Sequence, residues 1–166
     1  MYQALSNLIA NAIKYTPDGG SIELYSGIIK KDELSQCVAN QELLDKIKGY
    51  NTDWVEIIIK DNGIGIDSDE QKHIFDRFYE VGNIDQHTSS KSAFMGGGAG
   101  LGLSICKGIV EAHGGIIWVQ SKGCDIKSSN GSEFHLLLPY VDKEESAEAP
   151  PQGELNFLSD EELDLD

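Results

Sequence analysis

The sequence predicts an α+β fold: a two-layer α/β sandwich in which a mixed, mostly antiparallel sheet carries its helices on one face. Three observations predict it. Strand-like segments arrive in pairs instead of alternating singly with helices. The helical segments each have one apolar face. The 166 residues suffice for one core and fall short of two.

The first helix follows from Leu5, Leu8, Ile9, Ala12 and Ile13 at helical spacing, with Gln3, Asn7, Asn11 and Lys14 on an arc of roughly 80° opposite that stripe. Thr16-Pro17-Asp18-Gly19-Gly20 ends it, since Pro17 disfavours helix at Thr16 and the glycines supply a turn. Residues 21–29 and 54–60 are rich in β-branched and aromatic side chains and read as strands. Residues 30–53 between them are too long for a hairpin loop, and Leu34, Val38, Leu43, Leu44 and Ile47 predict an inserted amphipathic helix. Asp67 as N-cap, with Glu70 three residues on, predicts a helix to about Tyr79 with Ile74, Phe75 and Phe78 inward. Residues 80–98 lack periodicity and read as a long loop of the kind that serves as a lid. Gly96-Gly97-Gly98-Ala99-Gly100-Leu101-Gly102 opens a helix with Leu103, Cys106, Ile109 and Val110 on one face, stopped by His113-Gly114-Gly115. Residues 116–121 and 133–139 close the order as an antiparallel hairpin.

Charge divides the chain in two. Against 13 basic residues stand 28 acidic ones, a formal net charge of −15. Residues 142–166 hold ten of the acids and only Lys143 of the bases, so −9 belongs to this tail and −6 to the rest. Residues 141–166 are therefore expected to be an acidic, disordered tail behind a domain of residues 1–140, with Leu155, Phe157, Leu158, Leu163 and Leu165 as an alternative short docking motif. The acidic balance argues against nucleic acid and against contact with an anionic membrane. Three cysteines with no C-x-x-C pair fit reduced cytosolic thiols. The chain opens inside a helical pattern and is expected to be part of a longer protein.

The glycine cluster is a phosphate candidate, because glycines ahead of a helix expose backbone N–H groups at the positive end of its dipole. Neither G-x-x-x-x-G-K-[ST] nor G-x-G-x-x-G is present, and by itself the cluster fits a hinge as well as a nucleotide site. Asn7, Asn11 and Lys14 on one helix face offer neutral oxygens for a hard cation and a cation for phosphate. Asp61-x-Gly63-x-Gly65 sets a carboxylate beside bare backbone; an ionised carboxylate only accepts, which suits adenine's amino group and disfavours guanine's carbonyl.

In order along the chain, Asn7-Leu8-Ile9-Ala10-Asn11-Ala12-Ile13-Lys14-Tyr15-Thr16-Pro17 matches an N box and Asp61-Asn62-Gly63-Ile64-Gly65-Ile66 a first glycine box. Ile74-Phe75-Asp76-Arg77-Phe78 matches an F box, and Gly98-Ala99-Gly100-Leu101-Gly102-Leu103-Ser104-Ile105 a second glycine box. With these four motifs the sequence resembles the catalytic, ATP-binding domain of sensor histidine kinases, of the Bergerat-type fold shared with gyrase and mismatch-repair ATPases. The resemblance implies ATP and Mg²⁺ as cofactors. It implies Asn11 as metal ligand with Asn7 beside it, Lys14 near the phosphates, Tyr15 flanking adenine and Asp61 bonding its amino group. Gly63 and Gly65, with Ile66, would line the base; Gly98, Gly100 and Gly102, with Leu101, the phosphates. Phe75 and Phe78 would support the lid, and Arg77 would steady the leaving phosphates. The two phenylalanines have packing, and Asp61 turn capping, as the plainer explanation.

ATP-hydrolysing relatives carry a Glu general base one helical turn before the metal-binding Asn, where this chain has Asn7. Water activation is disfavoured, and γ-phosphoryl transfer to a protein side chain is favoured. None of His73, His87, His113 and His135 has the acidic context of the family's acceptor; His73 and His135 are expected on element surfaces. The resemblance thus implies an acceptor-histidine domain upstream, a response regulator, a homodimeric whole protein and a cytoplasmic, monomeric module here. A protein serine kinase and a non-catalytic nucleotide-sensing module are the alternatives. Departures from the family pattern are the 30–53 insertion and Ala99 where Thr is frequent.

Overall fold

A computed structural model describes residues 1–38, 40–79, 100–124 and 130–141. The expected lid at residues 80–98, His87, Gly98, Ala99 and almost all of the acidic tail lie outside the described residues. The elements are α1 (Tyr2–Tyr15), β1 (Ile22–Ile29), α2 (Leu34–Cys37), α3 (Gln41–Ile47), β2 (Trp54–Asp61), α4 (Gly102–Ala112), β3 (Ile116–Ser121) and β4 (Ser132–Pro139). The strands form one sheet in the order β1-β2-β4-β3, with every pairing antiparallel.

The pleat sorts side chains into two faces. Ile59, Phe134, Leu136, Ile117 and Val119 point to one face and form the main core with Ala4, Leu8 and Ala12 of α1 and Cys106 and Val110 of α4. The two helices touch where the Cys106 thiol donates to the Ala4 carbonyl at 3.4 Å. Burial pushes that thiol up to about 11. Cys37, on the surface, and Cys106, in the core, are free thiols.

The opposite face is partly covered too. Trp54, Ile116, Leu137 and Ile29 pack there with Val38 and Ile47 of the insertion, joined by Leu34, Leu43 and Leu44. The apolar residues that predict one inserted helix thus do pack. They occupy two short helices, because Val38 turns extended and the Asn40 side chain caps α3 by accepting from the Glu42 and Leu43 N–H groups. The insertion adds a partial third layer over the end of β2 farthest from Asp61.

Two expectations about helices are corrected. In α1 the buried line is Ala4, Leu8 and Ala12, while Ile9 and Ile13 are 37% and 63% exposed. Packing of α4 along one flank rotates the helix, so Asn7 and Asn11 border the buried line instead of opposing it. The helix expected over 67–79 is a 3-10 turn, Glu70–Lys72, followed by turns. The Asp67 carboxylate accepts from the distant Cys124 N–H at 2.8 Å, and Phe78 takes a positive φ of 64° that no helix continues through. Ile74 is inward as expected and Phe75 packs against the core, but Phe78 is 72% exposed.

His135 is also corrected. It is 8% exposed, its ring stacked on Trp118 with centroids 4.7 Å apart and its Nδ1 3.0 Å from Glu56 Oε1. Alternation on β4 puts it on the sheet face with Glu133 and Leu137, and Trp118 covers it. Among the described residues no helix is long and apolar enough to cross a membrane.

If the insertion is a packed layer, Ile47→Ala costs about 2–5 kcal/mol of unfolding free energy through the cavity it leaves. Urea denaturation measures it, and a loss below about 0.5 kcal/mol, the range of surface substitutions, would contradict the layer.

Candidate functional site

The site begins at Asp61, the last residue of β2, which is central in the sheet. The residue is only 6% exposed. Its Oδ1 accepts from the Gly63 N–H at 2.9 Å and from the Ser132 N–H at 3.2 Å. Burial pushes the carboxyl up from its ordinary value, and these two N–H groups pull it back. Oδ2 has no hydrogen-bond partner among the described residues, yet it is not sealed from solvent. One oxygen is thus spent on the fold and the other is left as an acceptor.

The backbone beside it is bare because side chains do not fit. A Cβ on Gly63 would run into the Tyr15 carbonyl, and one on Gly65 into the Gly123 carbonyl; Gly65 also sits at φ +77°. The approach to Tyr15 is a bonded one. The Ile64 N–H donates to the Tyr15 carbonyl at 3.2 Å, tying the end of α1 to the loop, and the Gly131 N–H donates to the Gly63 carbonyl at 3.0 Å.

On the α1 side, Asn7 and Asn11 are half-buried, and the Asn7 Nδ2 donates to the Gly102 carbonyl at 3.4 Å. Lys14 Nζ lies 5.0 Å from the centre of the Tyr15 ring. The first turn of α4 has no side-chain cap and no acidic residue. Because the first helical bond runs from the Ile105 N–H to the Leu101 carbonyl, the N–H groups of Gly102, Leu103 and Ser104 have no partner within the helix. The Phe78 N–H donates to the Gly100 carbonyl at 3.1 Å.

The four sequence motifs therefore meet: N box to first glycine box through Tyr15, N box to second through Asn7, F box to second through Phe78. Phe75 is a wall of the core, edge-on to Phe134 at 6.3 Å between centroids. Arg77 is exposed, on the same turn as Phe78. Ile66 donates to the Ser121 Oγ at 2.9 Å. Sequence reasoning missed Ser132, whose N–H holds Asp61, along with Gly131 and Ser121. A Gly-Ser pair just ahead of a strand was a visible punctuation mark, but nothing in the sequence places it against a carboxylate on another strand.

Residues 1–142 match the family described as histidine kinase-, DNA gyrase B-, and HSP90-like ATPase. Sensor histidine kinase WalK of Bacillus subtilis is 34% identical over 143 residues, covering 86% of this chain and 18% of that protein. The adaptive-response sensory kinase SasA of Prochlorococcus marinus (strain MIT 9215) is 41% identical over 140 residues, covering 84% of this chain and 28% of its own length. Among solved structures, a mycobacterial sensor histidine kinase, MprB, superposes with a TM-score of 0.55 at 25% identity, covering 82% of this chain and 68% of that one. The chain thus spans less than a third of these two curated relatives.

The glycine floor sets its own test. Gly65→Ala, at positive φ and against a carbonyl, lowers stability by about 1–3 kcal/mol. Gly108→Ala, inside α4 with open space around it, is neutral or stabilising by up to about 1 kcal/mol. Paired urea melts in which both variants behave alike would refute the close-approach argument.

Proposed function

Because the chain belongs to the histidine kinase-, DNA gyrase B-, and HSP90-like ATPase family, we propose that it is the Mg·ATP-binding catalytic module of a two-component sensor histidine kinase, transferring the γ-phosphoryl group to a histidine on a separate domain. The observation that carries this reading is the Asp61 carboxylate, with Oδ1 fixed by two N–H groups and Oδ2 left as an accept-only group at the head of a loop whose glycines admit no Cβ. That pairing suits the exocyclic amino group of adenine and repels a carbonyl in its place.

The residues present fit the rest of the ligand. Tyr15 flanks the base, and the N–H groups at the start of α4 that have no partner within the helix suit phosphate oxygens, with Lys14 as counter-charge. Asn7, whose Nδ2 is engaged by Gly102, has its oxygen uncommitted, and with Asn11 one helical turn on it would supply neutral oxygen ligands for Mg²⁺. Bound there, the ion would neutralise phosphate charge as the γ-group leaves. Arg77 shares that task from the F-box turn. With an amide at Asn7 no side chain at that position draws a proton from water, so the γ-phosphoryl group awaits a better-placed nucleophile.

The names of the relatives, a sensor histidine kinase and a sensory kinase, support an acceptor-histidine domain and a response regulator as partners; a homodimeric whole protein and a cytoplasmic location complete the proposed setting. Residues 1–140 make up the module, monomeric by itself and in contact with neither membrane nor nucleic acid, and the acidic residues 141–166 stand outside it. The serine-kinase alternative is less well supported, since the two curated relatives are named a histidine kinase and a sensory kinase.

Calorimetry with a non-hydrolysable ATP analogue and Mg²⁺ tests the reading. Asp61→Asn weakens binding roughly 10- to 150-fold, the worth of a hydrogen bond to a charged group. In the wild type, affinity is full above the Asp61 pKa and falls as pH drops through it. Because burial raises that pKa, the fall begins at a higher pH than for an ordinary carboxylate, and Asp61→Asn abolishes it. A wild type that binds no Mg·ATP would overturn the proposal. Fast steady-state ATP hydrolysis would overturn the argument from Asn7.

A further inference from the structure

The base-binding loop is held from behind by a side chain that belongs to none of the four motifs. Gln71, half-buried in the 3-10 turn Glu70–Lys72, donates through Nε2 to the Ile66 carbonyl at 2.8 Å and to the Ser121 carbonyl at 2.9 Å. A carboxamide nitrogen has two protons, and both are used. β3 is an edge strand of the described sheet, so Gln71 bridges the last residue of that edge to the last residue of the loop that starts at Asp61.

The bridge closes a small network. The Ile66 N–H donates to the Ser121 Oγ at 2.9 Å, and that hydroxyl donates to the Gly131 carbonyl at 2.7 Å. Both peptide groups flanking the Ile66 side chain therefore end on Ser121 or Gln71. The Gln71 backbone is itself fixed, its N–H donating to the Asp67 carbonyl at 3.0 Å. Its own turn leads through buried Ile74 to Phe78, whose N–H meets Gly100 ahead of α4.

We propose that Gln71 is a positioning residue for the nucleotide base: by joining the Ile66 and Ser121 carbonyls it holds the 61–66 loop in the shape that presents Asp61 Oδ2, so that little order is left to impose when a base binds. The proposal rests on the adenine-nucleotide reading above. A loop that must be ordered by its ligand binds more weakly by the ordering cost, and the loss falls on the part of the ligand the loop contacts. Gln71 touches neither base nor phosphate and acts only through the loop.

Two substitutions separate this from a general structural role. Gln71→Glu keeps the shape but sets an acceptor against two carbonyls, whereas Gln71→Lys keeps a donor for both. Binding of Mg·ATP and of Mg·tripolyphosphate, which has no base, is measured by calorimetry for each variant, with unliganded melting curves as a check of folding. Q71E is expected to lose roughly 10-fold in ATP affinity, as two ordinary hydrogen bonds imply. Its tripolyphosphate affinity is unchanged, and Q71K stays within about 3-fold of wild type for both ligands, the worth of less than one such bond. Equal losses for ATP and tripolyphosphate, or Q71E binding ATP as wild type does, would overturn the proposal while leaving the nucleotide reading intact. Should Q71E fail to fold, Gln71→Met, which keeps the length of the side chain and removes both donors, is read in its place: a loss confined to ATP supports the proposal, and equal losses or no loss overturn it. A wild type that binds tripolyphosphate but not ATP overturns the adenine reading and this proposal together.

Discussion

The structure depends on how one buried carboxylate is shared. Asp61 ends a central strand where the chain must turn back under the sheet, and a charged group there would be costly without partners. Its Oδ1 supplies the acceptor that two backbone N–H groups need, one in the loop that follows and one at the start of β4. The same two bonds that make burial tolerable also fix the direction of Oδ2. Stability and recognition are thus set by one side chain, and the glycines around it follow as a consequence. Carbonyls of Tyr15 and Gly123 come so near the loop that no Cβ fits at Gly63 or Gly65.

From that point the hydrogen bonds run outward to every segment that carries a motif. Ile64 bonds the end of α1, Gly131 bonds the loop, and Asn7 and Phe78 reach opposite sides of the α4 entry. Each bond joins segments distant in sequence, so the site exists only when the sheet and both long helices are in place. The insertion stands apart from this. Its core is at the Trp54 end of β2 and on the other face, while Asp61 lies seven residues along, about 23 Å at the rise of a strand. Its packing can change without moving the carboxylate.

Strands were the most legible elements. Enrichment in β-branched and aromatic residues, bounded by turn residues, placed all four to within a residue or so at each end, because that composition is a local property. The segment from Asp67 to Phe78 was not legible in the same way. Its capping pattern was real, but Asp67 found a better use at Cys124, and the turn at Phe78 answers to Gly100. His135 was unreadable for a related reason: alternation assigned it to a face, but only the Trp118 ring across the strand pair buries it.

The amino-acid sequence by itself determined the four strands, the two long helices and their order, the four motifs and the accept-only character of residue 61. These are set by short-range sterics, periodicity and side-chain chemistry, which act within a few residues. Only the tertiary structure decided which Asp61 oxygen is left for a ligand, which flank of α1 meets α4, that the insertion covers the far face, and that Ser132, Ser121 and Gln71 stand behind the loop. Those are matters of register and contact between residues 50 to 100 positions apart, and no local pattern encodes them, because the partner of a buried polar group is chosen by whatever the fold brings within 3 Å of it.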